Sequence, residues 1–65
     1  MSIGNHIANR IQEHLNTSNE SKSAFARRAR VTPGAITLYL QGKRTPKPDI
    51  IIRIADAIGV DVRDL

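Results

Sequence analysis

The sequence predicts an all-α fold of four to five short helices in a single domain of 65 residues. Apolar residues recur at spacings of three and four along separate stretches, which is typical of amphipathic helices. Ser, Thr, Asp and Pro stand at the predicted starts of helices, and Gly follows two of the predicted ends. Only two residues, Arg30 and Val31, lie between Ala29 at the end of the second helix and Thr32, the predicted N-cap of the third. So short a connection predicts a sharp corner between them.

The first helix is predicted from an apolar stripe with a period of four residues: Ile3, Ile7, Ile11 and Leu15. The stripe spans residues 3–15, and its drift around the helix brings Ala8 to the buried side. Ser2 is the predicted N-cap. Residues 16–21, NTSNES, have the composition of a loop.

The second and third helices form the central pair. Phe25, Ala26 and Ala29 give the second helix, residues 22–29, one apolar face, and Ser21 or Ser18 is its N-cap. Thr32 then caps a third helix, residues 33–41, in which Pro33 occupies the first position, where its missing N–H costs nothing. The apolar side of this helix carries Ile36, Tyr39 and Leu40, and Gly42 ends it. Two short helices joined by a sharp corner are the layout of a helix-turn-helix.

The fourth helix follows a stiff basic connector, KRTPKP. Pro48 opens it and Asp49 favours the positive end of its dipole, and Gly59 closes it after residue 58. Its wide apolar face contains Ile50, Ile51, Ile54, Ala55 and Ile58. Ile52 falls off this face and is predicted to be partly exposed. Asp61 caps a last turn over residues 62–65.

Composition narrows the classes of function. The chain has no Cys, no apolar run near the ~18 residues of a membrane span, and no N-terminal targeting pattern, which predicts a cytoplasmic, nucleoid-associated protein. A single Tyr and a single Phe weigh against stacking on unpaired bases. His6 and His14 flank the first apolar stripe without further ligands nearby, which weighs against a metal site. No catalytic constellation is visible either, so we expect neither an enzyme, nor a cofactor, nor a small-molecule ligand.

Positive charge is concentrated on the central segment. Residues 22–47 carry seven Lys or Arg and no acid, whereas the remainder of the chain sums to −3, giving the formal net charge of +4. A basic segment that coincides with a helix-turn-helix indicates a polyanionic partner, and DNA is the expected one. The alternative for any single side chain is simple solvation.

The central segment resembles the helix-turn-helix of lambda-repressor-like regulators, a family that includes phage repressors, Cro proteins and many small bacterial regulators. Ala26 stands where that family has a small residue at the helix crossing, and Tyr39, Gly42 and Lys43 match its run of an aromatic, two residues, Gly and a base. The apolar matches are Phe25, Ala29, Val31, Ile36 and Tyr39. From Pro46 onward, IIIRIADAIGVDVRDL resembles the fourth helix and the start of the fifth, so the resemblance covers roughly residues 21–65. One departure is Arg30, which stands where the family usually has Gly at the corner.

The resemblance implies that the third helix enters the major groove of double-stranded DNA. Thr32, Pro33, Gly34 and Leu38 match base-facing positions of the family, and the exposed face of the helix adds Thr37 and Gln41. This face is poor in polar groups, so we expect sequence to be read through thymine methyl contacts, Thr hydroxyls and DNA shape. The predicted phosphate contacts are Lys22, Arg27, Arg28, Lys43 and Arg44.

Regulators of this kind usually bind as two-fold dimers, so we expect a homodimer on a palindromic operator, paired through Ile52 and residues 60–65. A repressor of the Cro type is the favoured function. A protein-binding helix-turn-helix, as in adaptor or antitoxin modules, is the alternative, and the apolar character of Pro33, Gly34 and Leu38 partly fits it. The short last helix fits both the headpiece of a longer repressor and a complete minimal protein.

Overall fold

The computed structural model describes residues 3–65, with side chains from His6 onward, and this part of the chain contains helices and no strands. The prediction of an all-α fold is therefore confirmed. The N-cap predicted at Ser2 and the buried side chain predicted at Ile3 lie outside what is described. The order of elements is α1, Ile3–Ser18; α2, Lys22–Ala29; α3, Pro33–Leu40; α4, Pro48–Ile58; and a C-terminal 3₁₀ turn, Val62–Asp64.

The prediction that α1 ends at residue 15 is wrong, because residues 16–18 continue the helix. Side chains of this last turn bond within the helix instead of turning the chain away: Gln12 donates to the Asn16 side chain at 3.0 Å, and the Thr17 hydroxyl donates to the Glu13 carbonyl at 3.0 Å. The helix stops at Asn19, whose φ is 60° and whose N–H donates to the Leu15 carbonyl at 3.1 Å. Asn tolerates the left-handed conformation better than most residues. A prediction from composition alone therefore ended α1 three residues too early.

One core joins the four helices, and most of the predicted apolar faces meet in it. Phe25, Ile11, Ile36 and Ile54 are fully buried, and Ala8 lies on the buried side of α1 as predicted. Ile50, Ile51 and Ile58 are only partly buried but pack against this core. The buried apolar residues of the described chain are Ile7, Ala8, Ile11, Leu15, Phe25, Ala26, Ala29, Ile36, Tyr39, Pro46, Ile54, Ala55 and Ala57.

The C-terminal part of the fold has the predicted α4 and last turn, although the turn ends at Asp64 and not at residue 65. Gly59 ends α4 with a φ of 91°, a left-handed conformation that glycine adopts without strain. Asp61 caps the 3₁₀ turn by accepting from the Arg63 N–H at 2.9 Å. Ile52 is 52% exposed and Val62 42% exposed, while Leu65 packs back against the core. Within residues 3–65, no helix has the length and apolarity required to cross a bilayer.

Candidate nucleic-acid interface

The corner between α2 and α3 is built from local hydrogen bonds. The Ser21 hydroxyl accepts from the Ala24 N–H at 3.1 Å at the start of α2. After α2 the chain turns at Arg30, which adopts the left-handed conformation with φ 61° and ψ 41°. The next amide, that of Val31, donates back to the Ala26 carbonyl at 2.9 Å and closes the turn. Arg30, the one departure from the family at this corner, therefore takes up the conformation for which glycine is better suited.

The angle between the two helices is fixed by their packing. Phe25, Ala26 and Ala29 of α2 are fully buried, as is Ile36 of α3, and Tyr39 is 5% exposed. Ala26 at the crossing has no side chain beyond Cβ, so the backbones can approach closely. This packing leaves the opposite side of α3 facing solvent.

The first turn of α3 is the most exposed part of the predicted base-facing set. Thr32, Pro33 and Gly34 are all exposed, and the Thr32 hydroxyl accepts from the Ala35 N–H at 3.1 Å. Because that bond uses an oxygen lone pair, the hydroxyl hydrogen of Thr32 remains available to donate to a base or phosphate. A Cβ placed on Gly34 would meet no atom within 4 Å. Nothing inside the protein therefore requires glycine at this position.

The remaining three predicted base-facing residues lie in different surroundings. Leu38 is partly buried, and the partly buried Thr37 donates its hydroxyl to the Pro33 carbonyl at 3.1 Å. Gln41, which follows the last residue of α3, is exposed. Thr37 and Gln41 border an open groove shared with the start of α2 and the end of α1; its lining is Gln12, Leu15, Asn16, Glu20, Lys22, Thr37, Leu40 and Gln41. The structure thus separates the set into an exposed tip, a pair that borders the groove (Thr37 and Gln41), and the partly buried Leu38, which does not line the groove.

All five predicted phosphate contacts are exposed, and four of them are at the edges of this surface and form no ion pair with the side chains from His6 onward. Lys22 begins α2 beside the groove, and Arg27 lies on the exposed side of the same helix. Gly42, with φ 71°, turns the chain after α3, and the Lys43 N–H donates to the Leu38 carbonyl at 3.0 Å. This turn fixes the backbone from which Lys43 and Arg44 project.

Arg28, the fifth, is held by an ion pair within the molecule. Its guanidinium donates to both carboxylate oxygens of Glu20, at 2.8 and 2.7 Å, and lies 5.9 Å from the centre of the Phe25 ring. His14 joins the group through a ring nitrogen 3.1 Å from the same carboxylate. The Arg28 guanidinium, with help from His14 and against partial desolvation, lowers the pKa of Glu20 from 4.5 to about 2.

This cluster of His14, Glu20 and Arg28 is a feature that sequence reasoning missed. The three residues come from α1, the connecting loop and α2, so no helical spacing relates them. The one available signal was Glu20 itself, an acid directly before the segment that contains none. No group of three His, Asp or Glu side chains suited to a metal ion is found in the described part of the chain.

The described architecture is that of a helix-turn-helix domain. Arg30 forms the corner, Thr32 caps α3, and exposed Lys and Arg side chains lie before and after α3. A family model described as Helix-turn-helix matches residues 10–65. The chain belongs to this family, the lambda-repressor-like helix-turn-helix proteins, and the membership supports a DNA-binding regulator. Comparisons with curated proteins and with solved structures find no match.

Proposed function

We propose that this chain is a sequence-specific regulator that binds double-stranded DNA as a homodimer and acts as a repressor. The observation that carries the proposal is the exposed start of α3, from its N-cap Thr32 to Gly34. It lies in the middle of residues 22–47, which hold seven Lys or Arg and no acidic residue. In a helix-turn-helix this turn faces base edges in the major groove. The family membership of the chain supports the DNA-binding part; repression and dimerisation are our inference.

Sequence is read mainly through shape and apolar contact. Pro33 and Leu38 can touch thymine methyl groups, and the free hydroxyl hydrogen of Thr32 can reach a base acceptor. No Arg, Lys or Asn stands on α3 to make a bidentate pair with guanine or adenine. Discrimination per base pair then lies at the low end of about 1–3 kcal/mol. Leu38→Ala is expected to lose affinity and sequence preference together, and full retention of both would disprove this mode of reading.

Phosphate contacts come from the edges of the surface. Lys22 and Arg27 approach one strand from α2, and Lys43 and Arg44 approach the other from the turn after α3. Arg28 has the smallest part, because a phosphate would have to displace the Glu20 carboxylate, which already takes two of its N–H groups.

The two-fold dimer places its contact away from α3. Half-sites of a palindrome lie about 34 Å apart, whereas the longest extent of the molecule is 26 Å. Two molecules of this size that touch at the two-fold axis have their centres closer together than the half-sites. Each α3 therefore lies on the side of its molecule that is farther from the axis, and the contact lies on the opposite side. Ile52 and Val62, the two large apolar side chains that are exposed among residues 6–65, are the proposed contact. Leu65, also expected there, packs against its own core and contributes less.

The decisive experiment is selection from a random duplex library at low and at physiological salt, followed by sequencing of the bound fraction. A palindrome enriched at physiological salt supports a sequence-specific dimer. Binding that disappears with salt and enriches nothing refutes it. In a second step, Ile52→Ser is expected to make the protein monomeric in sedimentation equilibrium and to weaken binding to the palindrome more than to a single half-site.

A protein-binding helix-turn-helix is the second candidate, favoured by one observation. The exposed tip of α3 offers Pro33 and Gly34 but no charge, which suits a protein groove as well as a base edge. The basic side chains that surround this tip favour DNA over protein as the partner. Selection that enriches no duplex would move the preference to this candidate.

A further inference from the structure

We propose that Arg53, on α4, is a positioning residue for DNA reading, because it fixes the corner from which α3 departs. The inference deepens the proposed function and depends on it for its consequence in DNA binding. It concerns a side chain that lies outside the helix-turn-helix and that neither charge nor periodicity singles out.

The contact is a hydrogen bond from Arg53 to the backbone of the corner. One terminal nitrogen of its guanidinium, Nη1, donates to the Arg30 carbonyl at 3.1 Å, although the two residues are 23 positions apart. The other, Nη2, donates to the Asp49 carboxylate at 3.2 Å, one turn earlier on α4. Among side chains from His6 onward, this is the one hydrogen bond that joins α4 to α2, α3 or the corner between them. Asp49 thus orients the guanidinium, and the guanidinium holds the corner.

The bond acts on a peptide group that is already held from the other side. The Arg30 carbonyl and the Val31 N–H belong to the same planar peptide unit. The N–H donates to Ala26 of α2 at 2.9 Å, while the carbonyl accepts from Arg53 of α4. A planar unit bonded at both its donor and its acceptor cannot rotate without breaking one of the two bonds. Its orientation decides where Thr32, the N-cap of α3, is placed.

The corner needs this support because its conformation is unfavourable for the residue present. Arg30 has a φ of 61°, in the left-handed region where a side chain with a Cβ is strained. Without Arg53, the peptide could relax toward a less strained geometry, and α3 would leave the corner over a range of angles. Reading by methyl contact and shape depends on fit, so such a range reduces affinity for the correct sequence first.

A direct phosphate contact by Arg53 is the competing explanation, and the two predict different measurements. A phosphate contact contributes equally to all sequences and adds about 0.9 to the salt slope of binding. A positioning residue lowers affinity for the selected operator more than for unrelated DNA and leaves the salt slope unchanged.

The test compares Arg53→Met, which keeps the length of the side chain but removes its donors, with Arg10→Met. Arg10 is a matched control, since it lies on α1, its side chain is 30% exposed against 36% for Arg53, and it pairs locally with Glu13. For Arg53→Met, we expect a five- to tenfold loss of operator affinity, less than twofold loss on unrelated duplex, an unchanged salt slope, and faster hydrogen exchange at the Val31 amide. Asp49→Ala should change the same quantities less. Affinities are corrected for the folded fraction.

Two results would overturn the proposal. Equal loss on both duplexes with a smaller salt slope would make Arg53 a phosphate contact, and unchanged Val31 exchange would show that Arg53 does not hold the corner. If the unaltered protein selects no operator, the proposed function fails separately. Exchange at Val31 in Arg53→Met then still decides whether the corner depends on Arg53.

Discussion

Gly34 offers the sharpest test of how closely α3 approaches DNA, because the fold itself does not need a glycine there. It is the second residue of α3 and is exposed, and an added Cβ meets nothing within 4 Å. Its φ is not in the left-handed region, unlike that of Gly42 and Gly59. Gly34→Ala therefore introduces one methyl group that can collide only with a partner.

The expected effects on stability and on binding have opposite signs. Alanine is favoured over glycine in a helix by about 0.5–1 kcal/mol. For a domain of this size that gain raises the melting temperature by about 2–8 °C. If base edges lie against Gly34 in the complex, the same methyl group forces the helix outward and operator affinity falls at least tenfold, or about 1.4 kcal/mol.

Thermal unfolding followed by circular dichroism gives the first quantity, and fluorescence anisotropy with a labelled operator duplex gives the second. A variant that is more stable and binds as well as the unaltered protein would refute close approach at Gly34, because the methyl group would then have met no base. Equal loss on operator and unrelated duplex would move the collision from the bases to the DNA backbone.

Gly59→Ala is the matched control. The added Cβ again meets nothing within 4 Å, but here φ is +91°. The substitution is expected to cost about 1–2 kcal/mol of stability through backbone strain. Operator affinity per folded molecule should stay unchanged, because Gly59 ends α4 and lies outside the helix-turn-helix.

Three further outcomes follow from the same contacts. Arg30→Gly relieves left-handed strain of about 1–2 kcal/mol, less about 0.5–1 kcal/mol for the freer unfolded chain; chemical denaturation should show a small net gain, and a loss would contradict it. Glu20 is ionised more readily when folded, so its pairing with Arg28 stabilises the protein above pH 4.5 and is lost as pH falls toward about 2; the stability difference between the unaltered protein and Glu20→Gln should close over that window, and a constant difference would exclude it. Lys43→Gln and Arg44→Gln should each lower the salt slope by about 0.9 per subunit, whereas Arg28→Gln should leave it nearly unchanged in the same titration.

Sequence predicted those features that depend on neighbouring residues. The caps at Ser21 and Thr32, the proline at the first position of α3 and the glycine that ends α4 are local, since each acts within one turn of itself. The apolar faces were also predictable because burial of one side leaves a period of three to four residues. The end of α1 was not predictable in this way. Residues 16–18 are of types common in loops, and here their side chains form hydrogen bonds within the helix.

Side-chain contacts between different elements of the fold could not be predicted from the sequence. In the sequence, Arg28 cannot be distinguished from the other Lys and Arg residues of the basic segment. Its pairing with Glu20 exists only because the loop after α1 brings the Glu20 carboxylate next to α2. Arg53 received no role from the sequence, because its bond to the Arg30 carbonyl exists only when α4 lies against the corner. In both cases the two partners lie in different elements, so the spacing of 8 or 23 residues along the chain cannot be interpreted as a helical one.

The composition of α3 also bears on why two copies would be needed. If α3 reads DNA as proposed, with Pro33, Gly34 and Leu38 against the bases, we expect one copy to discriminate each base pair at the low end of about 1–3 kcal/mol. Phosphate contacts add affinity but no preference for sequence. A two-fold dimer uses every weak preference twice, so the free energy of discrimination doubles while each α3 stays unchanged. A weakly polar recognition helix is therefore a physical argument for a palindromic site, independent of the exposed apolar side chains that would form the dimer.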